Sequence, residues 1–438
     1  MRVTLGLGVV AIALSARAAV AQPAPPADES VLGTLPITGT AQEHVTTLAV
    51  LPSLSPELED VIVRGVARRD LELTGLFNVL PDEKAPPGLY GFNDAVDVSA
   101  WRKVGAEVIV KVAARKTDSG KIEVFGLAYF LDVGKDPVYE KKLLVDEPEV
   151  RITAHRVVDA LLGAITGRPG GFASHFTYSG KWGKSRRIFT MDSDGNDLRP
   201  VTSEDVTAIA PAWGPNAEVF YTASVRYSPF RLYHLARGAE PAAVRIPFRT
   251  SVYGVSFNKD RTKMALAVAE DATTGIYEGS PDGSGMRKVS TTPLATHPVY
   301  SPSGKLAWIG GATNGTQRVY VDGKAVSPMG FTAAAPTFCG TDDGIRLVYA
   351  VSVGGNRQDL VMSSENGQGI ARLTQNQGSN SYPACSPDGR MLAFFSTRSG
   401  GGLYFMSLKR WKTQKLSSQT GESLRWAELP PPPASASP

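Results

Sequence analysis

One short phrase returns six times over the second half of the chain, and no other feature narrows the possible folds as far. The copies are APAWGPN at Ala210–Asn216, GVSFNKD at Gly254–Asp260, HPVYSPSG at His297–Gly304, APTFCGTDDG at Ala335–Gly344 and YPACSPDG at Tyr382–Gly389, with a shortened LRWAELP at Leu424–Pro430. The anchor residues Trp213, Phe257, Tyr300, Phe338, Cys385 and Trp426 are spaced by 44, 43, 38, 47 and 41 residues. Periods of roughly 40–45 residues are those of propeller blades, units that bury their apolar faces only against neighbours.

Each repeat reads as four strands. In the last full copy Tyr382–Cys385 is a first strand, Ser386-Pro387-Asp388-Gly389 a tight turn read as type I′, Met391–Ser396 a second strand, Leu403–Phe405 a third and Gln414–Leu416 the start of a fourth. Asp194-Gly195, Asp282-Gly283 and Asp322-Gly323 are read as hairpins between third and fourth strands, since Asp-Gly tolerates positive φ. Four strands in about 40 residues make one blade. Phe172–Thr202 supplies three strands without an anchor phrase, and the copy around Trp426 supplies one strand with nothing after it. Joined, they complete a sixth blade and leave no open edge.

The segment 46–170 lacks this period. Thr46–Leu51 reads as a strand, Ser55-Pro56-Glu57 as a capped helix start ending at Gly75, Val108–Val112 and Ile122–Leu131 as strands, and Val150–Ile165 as an amphipathic helix stopped by Gly167. The expected architecture is an α/β N-terminal domain (46–170) followed by an all-β six-bladed propeller (171–430), with a Pro/Ala/Ser-rich tail at 431–438. Ahead of these, Arg2, the apolar run Val3–Leu14 and Ala19-Val20-Ala21 have the form of a secretory signal over 1–21, and 22–45 reads as a flexible segment. The chain is then exported, with cleavage after Ala21. Its net charge of +4 becomes +2 without Arg2 and Arg17, and with no basic run it offers nothing for nucleic acid. Cys339 and Cys385 fall in first strands of neighbouring blades, read as too far apart to bridge; Cys385 is assigned to the core.

Catalytic signatures are absent. No two of the five histidines have His-x-x-x-His spacing, and there is no Gly-x-Ser-x-Gly elbow and no phosphate loop. His155 and Asp159 stand at i,i+4 on one helix, read as a structural contact between them. Asp192–Asp197 opens like a calcium loop, but its glycine is misplaced and no closing glutamate follows, so it reads as a blade hairpin. No metal, no cofactor and no enzymatic activity are expected.

Three stretches of the N-terminal half, ARRDLELTGLFNVL (Ala67–Leu80), SAWRKVGAEVIVKV (Ser99–Val112) and AHRVVDALLGAITGRPGGFASHFTYS (Ala154–Ser179), together with the blades, resemble the TolB family of the periplasmic Tol–Pal system. The resemblance covers about residues 46–429. It implies a non-enzymatic, monomeric periplasmic scaffold that docks peptidoglycan-associated lipoprotein (Pal) on one propeller mouth. It also implies binding of a TolA-like inner-membrane protein through the N-terminal segment, further contacts with outer-membrane lipoproteins or porins, and support of outer-membrane constriction at division. Carried over by position, the lipoprotein-contacting residues are Ser251 and Gly254 before Phe257, and Thr296 and His297 before Tyr300. The family pattern has a histidine where Ser251 stands and a carboxylate where His297 stands. The TolA-binding segment falls on Glu29–Thr38, where Val31, Leu35 and Ile37 would present an apolar strand edge; the stretch does not match the family's usual box, and its other reading is a plain disordered tether. The alternative is an exported propeller that holds a small ligand or glycan in its central channel.

Overall fold

The computed structural model describes residues 28–33, 44–52, 57–88, 90–91, 93–311 and 315–428. The signal read at 1–21, the residues Leu35, Ile37, Ser55 and Pro56, and the tail at 431–438 lie outside them. Among the described residues, no helix is long and apolar enough to cross a membrane.

The N-terminal domain is a five-stranded sheet, β1 (Thr47–Val50), β2 (Asn78–Val79), β3 (Val108–Lys116), β4 (Ile122–Phe130) and β5 (Tyr139–Val145), in the order β2-β1-β3-β4-β5. The pairs around β1 are parallel and the rest antiparallel. Strand alternation sends Leu48, Val50, Val108 and Val110 to one face, under α1 (Leu58–Thr74) and α3 (Val150–Thr166). Ala49, Leu51 and Ile109 go to the other, under the short α2 (Val98–Lys103) and its buried Trp101. β3 and β4 are apolar almost throughout because helices cover both faces. Gly75 and Gly167 stop α1 and α3 in the left-handed conformation, as the sequence suggests.

The remainder is a six-bladed propeller. Five blades are continuous in sequence: blade 1 over 206–243, blade 2 over 252–288, blade 3 over 296–325, blade 4 over 333–372 and blade 5 over 380–417. In blade 6 the strand Glu422–Glu428 pairs with Ser174–Trp182, which continues to Ser185–Asp192 and Arg199–Pro200. The ring therefore closes through the two ends of the repeat. Trp426 fastens it: its ring packs 4.6 Å from Phe176 and 5.0 Å from Phe405, and its Nε1 donates to Ser174 Oγ at 2.7 Å.

The six innermost strands surround the axis, and each carries a register shift near the position three residues before its anchor. At that position Ala210, His297, Ala335, Tyr382 and Ser423 are left-handed, with φ between 46° and 53°, and blade 2 has Gly254. Such bulges re-aim side chains at the rims of closed β structures.

Two expectations are corrected. The Ser386–Gly389 turn is not type I′. Gly389 N donates to Ser386 O at 2.9 Å, so Pro387 and Asp388 are the central pair; neither has the positive φ that type I′ requires, and only the closing Gly389 does. The turn is type I followed by a left-handed glycine; only Asp322-Gly323 has both φ values positive. The cysteines are bonded: Cys339 and Cys385 form a disulfide with Cα atoms 5.3 Å apart. Inner strands converge at the hub, and Cys339, one residue past its anchor, faces the next blade rather than its own.

Candidate partner-docking mouth

The two ends of the propeller are unequal. At the end where inner strands finish, the N-terminal domain is built into blades 5 and 6. Asp159 on α3 accepts from the backbone N–H of Phe172 and Ala173, both at 2.8 Å, and so holds the first propeller residues. Burial pushes this carboxyl up to about 7 even though both amides favour its charged form. Arg151 bridges Asp192 and Asp194 on the blade 6 hairpin, and Gln414 Nε2 donates to Glu72 O at the end of α1, 3.0 Å away. One apolar cluster runs from α1 and α3 into Phe172, Phe176, Met391 and Trp426.

The i,i+4 contact expected between His155 and Asp159 does not form. His155 is fully buried and its Nδ1 lies 2.6 Å from Asp70 Oδ2 on α1, while Asp159 turns to the backbone amides. Asp192–Asp197 is a hairpin, as read. Asp70, His155 and Asp194 bring potential ligand atoms within 4.8 Å of one another, but the Arg151 guanidinium already neutralises Asp194 and Asp70 already holds His155. The arrangement is a buried ion-pair network that ties α1, α3 and blade 6 together.

The opposite end, where inner strands begin, is free of the described residues of the N-terminal domain. Of the proposed contact residues, Ser251 is half-buried and its Oγ accepts from Phe230 N at 3.1 Å. Gly254 is buried, and a Cβ there would sit 3.3 Å from Pro298 Cδ, which brings the blade 2 and blade 3 positions side by side. Thr296 is half-buried, with its Oγ1 3.1 Å from His297 Nδ1. His297 faces the lumen rather than the rim: its ring lies 6.5 Å from that of Tyr382, two blades away. Burial, and then the nearby Arg425, hold it down at about 4, a neutral imidazole.

Sequence reading missed the most conspicuous property of this mouth. Trp182, Val225, Tyr227, Tyr253, Leu294 and Met329 are all large, apolar and exposed, and all lie at the ends or in the loops that border it. Tyr227 and Met329 are 104% and 75% exposed. Large exposed apolar patches on a folded protein mark interaction sites. Trp182 and Val225 end the second strands of blades 6 and 1, while Tyr227, Tyr253, Leu294 and Met329 come from other strand ends and connections, so only the closed ring gathers all six.

The N-terminal segment packs on blade 4. Residues Glu29–Leu32 form a 3-10 turn capped by Asp28, Glu29 pairs with Arg372 at 2.9 Å, and Leu32 is fully buried against blade 4. Arg372 is also bound to Asp359. Val31 is in this turn, not a strand, and projects outward, 52% exposed.

An α/β domain locked to one end of a six-bladed propeller, with Trp182, Tyr227 and Met329 exposed at the other, defines the class of fold. A family model described as the TolB amino-terminal domain matches residues 34–131. The chain is similar to TolB-family proteins. It is 29% identical over 230 residues to the Tol-Pal system protein TolB of Anaeromyxobacter dehalogenans (strain 2CP-C), a match covering 52% of each chain. With the protein of the same name from Anaeromyxobacter sp. (strain K) it shares 28% identity over 293 residues, 65% of each. The match thus spans about half the length of the first of these relatives. The crystal structure of TolB from Acinetobacter baumannii superposes with a TM-score of 0.73 at 21% identity, covering 88% of this chain and 97% of that one, which shows the fold.

Proposed function

We propose that this protein is a non-catalytic periplasmic scaffold of the Tol–Pal system, docking a peptidoglycan-associated lipoprotein on the free propeller mouth. The observation that carries the reading is the apolar collar at that mouth, in a chain whose N-terminal domain matches the TolB family and occupies the opposite end. Ser251, Gly254, Thr296 and His297 lie within or just inside this collar, so a partner seated on it contacts the first three and reaches toward the fourth. Glu29–Thr38, with Val31, Leu35 and Ile37, is the proposed segment for a TolA-like protein. The Glu29–Arg372 pair is what that partner would have to displace or accommodate. Support of outer-membrane integrity and constriction at division follows from bridging these partners, with outer-membrane lipoproteins or porins as further contacts.

Affinity capture from an envelope extract tests this with two baits, the mature protein and a version lacking residues 22–38. The full bait recovers a lipoprotein with a peptidoglycan-binding domain and a TolA-like protein, and the shortened bait recovers the lipoprotein alone. Recovery of neither by the full bait contradicts the reading.

A further inference from the structure

Among the described residues, the propeller lumen contains a cation without a carboxylate partner. At the position one residue before the anchor, five inner strands carry Ala212, Ser256, Val299, Thr337 and Ala384; the sixth carries Arg425. No ion pair of Arg425 occurs among the described residues, and the one hydrogen bond its side chain makes there is from Nη1 to its neighbour's carbonyl, Leu424 O, at 3.2 Å. The guanidinium has five N–H groups. His297 of blade 3 and Tyr382 of blade 5 have ring centroids 6.5 Å apart although blade 4 separates them, so the two meet across the axis. Both feel the charge of Arg425 from blade 6. The remaining charged groups near Tyr382 are Glu422 and Arg186, which neutralise each other in a 2.5 Å pair.

We propose that the lumen is a carboxylate-binding site centred on Arg425, with His297 and Tyr382 as neutral hydrogen-bonding walls. A planar guanidinium matches a carboxylate in a two-point fork. One uncompensated positive charge fits a monoanion better than a phosphate dianion. The carboxylate comes from a free small acid or from an Asp or Glu side chain of the partner seated on the mouth. The second source rests on the docking function proposed above; the first does not. A bound anion also offsets the charge that disfavours protonated His297, so binding raises the midpoint of its titration.

Sodium formate titrated into protein carrying 13C-labelled histidine rings tests the site without any partner. Wild type shows a saturable shift of the His297 resonance and an upward move of its titration midpoint. Arg425→Gln weakens this binding at least tenfold, and Arg425→Lys, which keeps the charge but loses the fork, weakens it less. A linear, non-saturating response in wild type, or identical saturation in Arg425→Gln and wild type, overturns the proposal. If Arg425→Gln does not fold, identical saturation in Arg425→Lys and wild type overturns the two-point fork. The affinity of a purified lipoprotein domain then separates the sources. It falls about tenfold in Arg425→Gln if the partner supplies the carboxylate, and is unchanged if a free acid does.

Discussion

His155→Ala is expected to destabilise the protein by about 3–5 kcal/mol, the usual consequence of removing one member of a buried ion pair. His155 and Asp70 are both fully buried and 2.6 Å apart. Without the imidazole, the buried Asp70 carboxyl loses its partner, while the nearby Arg151 is committed to Asp192 and Asp194. The pair joins α1 to α3 beside the blade 6 hairpin, so the loss falls on the junction between domains. Chemical denaturation is expected to change from one transition toward two. The pH dependence carries a definite sign. Burial opposes a charged His155, but the carboxylate of Asp70, followed by Asp194 and Asp192, outweighs it and pushes the group up to about 9. A histidine raised above its unfolded value near 6.5 contributes fully below that value and loses its contribution as pH rises through 9. Wild type should therefore weaken between about pH 7 and 10 with a slope that His155→Ala lacks. Equal slopes in the two proteins would show that His155 is neutral in the folded state.

Replacing Cys339 and Cys385 by serine is expected to cost about 2–4 kcal/mol. The bond closes a loop spanning 46 residues from blade 4 to blade 5, and the chain-entropy relation puts the upper end at about 4 kcal/mol. A bond of this kind persists in an oxidising compartment, in keeping with export. Melting with and without reductant checks it: reductant lowers the wild-type midpoint toward that of the double variant and leaves the variant unchanged. A wild-type midpoint insensitive to complete reduction would mean that the hub is held by packing alone.

Much of the fold was legible because its signals are local or periodic. Six anchors at blade spacing, the shortened copy at Trp426 and the glycines ending α1 and α3 each act within a few residues of themselves. What escaped depends on distance in space. His155 takes Asp70, 85 residues away, over Asp159 on its own helix. The cysteine distance is set by convergence of inner strands at the axis, which blade count alone does not convey. The turn at Ser386–Gly389 was a local error: Pro387 already excluded the type I′ geometry. Arg425 left a usable signal, since aligning the six phrases sets it against five small residues. The collar from Trp182 to Met329 left little, because its members come from strand ends and connections of several blades.

The most direct test of the docking account is the equilibrium affinity of the purified mature protein for the soluble domain of its peptidoglycan-associated lipoprotein, in wild type and in Ser251→Arg/Thr296→Arg. Both substitutions place a long cation in the collar at half-buried positions at the starts of inner strands, the end opposite the disulfide and the ion-pair network. The account predicts saturable binding by wild type and an affinity at least tenfold lower in the double variant, with unchanged melting. Equal affinity of the two proteins, or no binding by wild type, would contradict it.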